Sequence, residues 1–181
     1  MSLKEAFEAL LRMGKSTGPP AGDPVSVVLL LREPRFPSLE QLRDAASKAF
    51  GVSFSSDRAA RHSVYVRGAI FTLANVGAHT LSFLFYTKPY GEESPDFGKS
   101  MPLETQRRAW AEHKAWIAID YARGSVDIHS KYVVLARLCT HLYDDNCVGL
   151  YLPRENTFVP GQKDAHRQLA KIVAYRDVVV A

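Results

Sequence analysis

The fold turns on Val25-Ser26-Val27-Val28-Leu29-Leu30-Leu31-Arg32. Six of these eight residues are apolar, and three of them are β-branched valines. A strand with one wet face alternates apolar and polar side chains. A continuous run of this length reads instead as a strand covered on both faces. The rest of the chain must therefore supply two covering layers.

Working outward, Pro34 and Pro37 end the strand, and Ser38-Leu39-Glu40-Gln41 opens a helix with a capping box. Leu39, Leu42, Ala46, Ala49 and Phe50 line its apolar face, and Gly51 supplies the left-handed stop. Residues 62–76 and 79–88 read as two strands joined by a tight turn at Gly77-Ala78. Gly68 interrupts the first of them and is expected to mark a bulge. A polar loop, residues 89–101, then leads to a helix over residues 102–113, with Pro102 at its first position.

The scheme now repeats. Residues 114–121 alternate as a strand, and Ser130 starts a helix whose apolar side carries Tyr132, Leu135, Cys139 and Leu142. Residues 147–152 form a strand, residues 153–156 turn, and residues 157–159 return beside it. A last helix, residues 162–175, ends in the apolar tail Asp177-Val178-Val179-Val180-Ala181.

Before all of this, Leu3, Phe7, Leu10 and Leu11 make one face of a short amphipathic helix over residues 1–13. Residues 14–24, rich in Pro and Gly, read as a linker. A helix this short is not stable alone in water, so it must dock on the domain or on another copy, which admits a homodimer. The expected organisation is thus a helix (1–13), a linker (14–24) and one α+β domain (25–181). That domain contains two βαββ-like halves, 25–88 and 102–160, and a C-terminal helix. The expected sheet is mixed or antiparallel, packed with helices. A concave surface between two such halves is a natural ligand pocket.

Composition narrows the function classes. The chain has 181 residues, 46% of them hydrophobic, enough for a core without staples. Its net charge is +4, but the longest basic run is Arg107-Arg108. Nucleic-acid binders concentrate Lys and Arg on a stripe that displaces counterions, so no nucleic-acid partner is expected. Cys139 and Cys147 sit in apolar surroundings and read as buried free thiols. No secretory h-region and no stretch of 18 apolar residues is found. The expectation is a cytoplasmic protein with no membrane partner.

Catalytic motifs fail their spacing tests. Gly14-Lys15-Ser16 and Gly98-Lys99-Ser100 echo a phosphate loop, but Ala9 and Glu93 stand where its first glycine belongs. Neither a dinucleotide-binding glycine turn nor a serine elbow occurs. The six histidines form no i, i+4 pair, and Asp144-Asp145-Asn146 lacks the spacing of a calcium loop. No metal and no cofactor are expected.

One cluster stands out. Trp110, His113 and Trp116 surround a helix-to-strand junction, and the preceding loop brings Tyr86 and Tyr90. These five are the candidate binding residues. One reading makes them an aromatic wall with a polar group, in which the helix dipole favours cationic His113. The other makes them core aromatics and a histidine that closes the helix end. The loop aromatics Tyr90 and Phe97 likewise read either as an exposed functional feature or as part of a crossover.

Three stretches carry a family resemblance: the opening strand followed by PSLEQLRDAASKAFGV, the segment HKAWIAIDY, and CVGLYLPRENTFVPG. Over residues 25–161 the chain resembles an uncharacterised bacterial domain-of-unknown-function family (series number forty-two sixty-one). The resemblance implies a compact α+β domain and brings no catalytic residue. Two functional readings follow: a non-enzymatic binding module for a protein partner or small ligand, and a small-molecule-binding or hydrolytic enzyme using a cleft between the halves around His113.

Overall fold

A computed structural model describes residues 25–67, 71–91, 96–124 and 126–174. The expected N-terminal helix, the linker, Gly68 and the C-terminal tail lie outside the described residues. Within them the chain is α+β, with seven strands in one sheet and five helices.

Strand β1 (Ser26–Leu31) is buried from its second residue onward. Both faces are covered, as the apolar run requires. Val27, Leu29 and Leu31 enter one core, and Val28 and Leu30 enter another on the opposite side. Helix α1 (Leu39–Phe50) follows, and both bonds of its capping box form: Gln41 N–H donates to Ser38 Oγ at 3.2 Å and Ser38 N–H to Gln41 Oε1 at 2.8 Å. Gly51, at φ 69°, ends it.

The next segment departs from expectation. Residues 62–76 are not one strand but two, β2 (His62–Arg67) and β3 (Phe71–Val76), paired antiparallel from His62↔Val76 to Arg67↔Phe71. A fifteen-residue strand would run about 50 Å, far beyond neighbours of six to nine residues, and folding it back lets both pieces pair. Strand β4 (His79–Tyr86) then joins β3 through the expected two-residue turn at Gly77-Ala78.

Two helices cross to the second half. Helix α2 (Asp96–Lys99) is a single turn inside the segment read as an open loop, and α3 is Glu104–Glu112. Strand β5 (Ala115–Arg123) leads to α4 (Ile128–Leu142). This helix begins before Ser130, because Asp127 is the cap and accepts from the His129 and Ser130 amides at 3.0 and 3.2 Å. Strands β6 (Cys147–Leu152) and β7 (Thr157–Pro160) and helix α5 (Gln162–Ala174) complete the chain.

The strand order is β2-β3-β4-β5-β1-β6-β7, and every strand pairing is antiparallel. The expected pair of matching βαββ halves does not appear: residues 25–88 give a strand, a helix and three strands, and their strands interleave with those of 102–160, β1 lying between β5 and β6 and β5 between β4 and β1. They share one continuous sheet. At their boundary, where a concave surface was expected, there is backbone pairing from Ser26↔Asp120 to Leu31↔Ala115. Helix α4 packs against α1 and α5 over one face. On the other face α3 packs against β6 and β7. No helix among the described residues is long and apolar enough to cross a membrane.

Candidate functional site

The five residues singled out from sequence do come together. Tyr86 at the end of β4 is the register partner of Trp116 on β5, and their rings stack at 5.1 Å. The Tyr90 ring stands edge-on to Trp116 at 5.2 Å and to Trp110 at 6.2 Å. Trp110 on α3 meets His113 at 5.2 Å. Three further rings outside the five fill the gaps: Phe97 from α2, named in the sequence only as a loop aromatic, Tyr151 from β6 and Phe158 from β7 all touch Trp110. For Tyr151 and Phe158, strands as short as β6 and β7 gave no sign of which face each ring occupies.

Apart from Tyr86, which is 40% exposed, the arrangement is a core more than a wall. Trp116 and His113 are each 4% exposed. Phe97 and Tyr90, read from sequence either as an exposed functional feature or as part of a crossover, pack inward against the same cluster. Gly98 is part of the closure: a Cβ there would lie 2.5 Å from Trp110 Cδ1. This explains a glycine in Gly98-Lys99-Ser100 without any phosphate.

His113 is fully committed. Its Nδ1 bonds the Trp110 carbonyl, and its Nε2 lies 2.7 Å from the Tyr90 amide nitrogen. A carbonyl can only accept and an amide N–H can only donate. The ring is therefore the neutral tautomer with its proton on Nδ1. Burial lowers its pKa below 6.5, against the expected dipole-favoured cation. Both nitrogens tie the loop at Tyr90 to the end of α3, leaving neither acid nor base free.

Asp120 was passed over in the sequence, although an acid inside Ile117-Ala118-Ile119-Asp120-Tyr121 was a visible anomaly. It lies beside the aromatic cluster and is 6% exposed. Ser26 Oγ donates to its carboxylate at 2.6 Å. Ser82, its register partner on β4, lies close enough to pull its pKa down but makes no well-formed hydrogen bond. Burial outweighs both hydroxyls and raises the Asp120 pKa. Burial, with smaller contributions from Tyr151 and Asp120, pushes the nearby Tyr90 phenol up to about 12.

Other chemistry finds little purchase. Among the described residues no three His, Cys, Asp or Glu side chains gather as metal ligands. Cys139 and Cys147 are free and buried. Burial raises both thiols, Cys147 to about 12, so neither is a thiolate near neutrality.

A cleft of about 350 Å³ opens on the opposite, helical face. Ile128, Tyr132 and Val133 of α4, Leu152 of β6 and Ile172 of α5 give it an apolar floor. His129, Glu155, Gln168 and Lys171 supply its polar members. Tyr132 Oη is buried without a well-formed hydrogen bond, although Glu155 lies near enough to join burial in raising its pKa. Sequence assigned Tyr132 correctly to the apolar side of its helix. The cleft itself exists only because α5 docks beside α4 over the β6–β7 turn.

No family model matches the chain, and no curated protein or solved structure matches it either.

Proposed function

We propose that the chain is a non-enzymatic binding module that takes an amphipathic helical segment of a protein partner into the α4–α5 cleft. The observation that carries this reading is the cleft itself: an apolar floor between two surface helices, with both charge signs among its lining residues. Its volume lies within the usual span of ligand sites. Helix-in-groove recognition uses this kind of surface, with apolar anchors below and charges at the margin. The aromatic cluster serves as a second core that holds the sheet behind it.

The family resemblance remains part of this proposal and rests on the three quoted stretches. A cytoplasmic setting fits two protonated, unpaired thiols.

The test is a titration of the full chain with anilinonaphthalene sulfonate, a fluorescent apolar anion. The expected result is saturable binding that weakens at least about tenfold in Ile172→Glu, a loss of about 1.4 kcal/mol. Leu103→Glu, at a 57% exposed position remote from the cleft lining, is the control and leaves binding unchanged. Equal binding by wild type and Ile172→Glu would refute the reading.

A further inference from the structure

We infer that the His113 imidazole is an acid-released latch: a proton on Nε2 breaks its bond to the Tyr90 amide, and residues 87–91 then lift off Trp110 and Trp116. The latch belongs to the aromatic face and is independent of the α4–α5 cleft.

Hydrogen-bond polarity makes the ring a latch. In the neutral ring Nδ1–H donates to the Trp110 carbonyl, and Nε2 accepts from the Tyr90 amide at 2.7 Å. The one lone pair open to a further proton is therefore the one the Tyr90 amide already uses. A proton added there sets N–H against N–H at hydrogen-bond distance, on a residue only 4% exposed. The attraction becomes a repulsion between donors, and the new N–H has no acceptor. The Nδ1 bond gains from the positive charge, so the ring stays on α3 and the loop is the part that moves.

The loop has little else to hold it. Residues 87–91 form neither helix nor strand. Among the described residues no backbone–backbone hydrogen bond ties Thr87, Pro89, Tyr90 or Gly91 to another element. The bond to His113 is the polar anchor of Tyr90. Its apolar anchor is its ring, edge-on to Trp110, Trp116 and Tyr151. Phe97, Tyr151 and Phe158 reach Trp110 from other elements, so the rest of the face stays packed when the loop lifts.

The direction of the switch follows from linkage. Burial holds the latched ring below 6.5, and a ring released into water returns towards that value. The open state binds the proton more tightly, so falling pH shifts the population towards it. The latch is complete above about 6.5 and is lost as pH falls below it. The charged neighbours are exposed and paired with one another: Lys114 with Glu33, and Glu112 with Arg32 and Arg108. Lys88 lies on the loop itself. Tyr90 and Tyr151 are neutral, since burial raises both phenols. Asp120, near Tyr90 on the same face, has its pKa raised by burial and is the one other group there that titrates in acid.

Hydrogen–deuterium exchange of the Tyr90 amide in the full chain, read by NMR from pH 7 to pH 4.5, tests the latch. Its protection factor is expected to fall at least about tenfold, as when one buried hydrogen bond is lost. The midpoint is expected to coincide with titration of the His113 ring nitrogens, while the Leu29 amide on β1 keeps its protection. The chain's two tryptophans, Trp110 and Trp116, both lie at this site, so their emission shifts to the red with the same midpoint.

His113→Gln places a neutral acceptor near the position of Nε2 and is expected to stay latched throughout. Asp120→Asn is expected to release as the wild type does. No fall in Tyr90 protection by pH 4.5, a fall in step with Leu29, the same fall in His113→Gln, or its loss in Asp120→Asn would overturn the inference. If His113→Gln does not fold, the wild type decides by itself: separate midpoints for His113 and Tyr90 overturn the latch, and a shared one upholds it.

Discussion

The two faces of the sheet solve the same problem differently. On the aromatic face, α2, α3 and the Tyr90 loop close over Val28, Leu30, Trp116 and Ala118 with interlocking rings. On the helical face, α1, α4 and α5 cover a larger aliphatic core, but α4 and α5 leave a cleft between them. Rigid rings joined edge to face leave little to rearrange. Two helices packed side by side can leave a groove and remain stable, because each buries only a stripe. A closed face fixes the fold, and a grooved face is available to a partner.

The largest break in this comparison comes from Trp110→Ala. The indole is 9% exposed and contacts rings from the Tyr90 loop, α2, β6 and β7. Its removal is expected to cost about 3–5 kcal/mol, read from the urea midpoint. Ile172→Ala in the half-buried cleft should cost about 1 kcal/mol or less. Equal losses would show that the two faces are closed alike.

Gly98→Ala sharpens the contrast at one atom. On an exposed helix alanine would stabilise by about 1 kcal/mol. Here its Cβ meets Trp110, and the ring, walled in by Phe97, Tyr151 and Phe158, has little room to yield. Overpacking should win, with a net loss of about 1–3 kcal/mol and a changed tryptophan fluorescence. Stabilisation by Gly98→Ala would mean that the aromatic face is loosely packed.

The smallest effects are pH slopes. His113 and, across the sheet, His79 both have pKa values lowered by burial from 6.5. Just below that pH the unfolded chain binds more protons than the folded one. Their contribution is thus complete above about 6.5 and is lost as pH falls through it. Asp120 has the opposite sign. Its raised pKa means that the folded state keeps a proton the unfolded chain releases near 3.8, so stability is lost as pH rises from about 4. Asp120→Asn should therefore gain on wild type between pH 4 and pH 7 in thermal midpoints. A constant difference over that range would show that Asp120 is accommodated as an anion.

How much was legible can be followed residue by residue. Ser38, Gln41 and Gly51 announced α1 because caps are local and their bonds close within a few residues. Tyr86, Tyr90, Trp110, His113 and Trp116 were rightly grouped, since large aromatics near one junction have few places to go. Their purpose was harder to read. The atoms that occupy His113 are backbone groups of Tyr90 and Trp110, and sequence carries no sign of which amide will face a ring. Asp120 was legible and passed over. The split of residues 62–76 was hidden because a lone glycine in an apolar run permits either a bulge or a reversal.

By itself, then, the sequence determined the α+β class, the doubly covered β1 and the place of most described elements, the β2–β3 reversal and α2 excepted, because caps, turns and periodicity are set over a few residues. Only the tertiary structure decided that the halves interleave, that the aromatic joint is closed and that a cleft opens between α4 and α5. Those outcomes depend on pairings across distances such as Ser26 to Asp120, where the sheet's shared hydrogen bonds and the docking of whole helices outweigh any local preference.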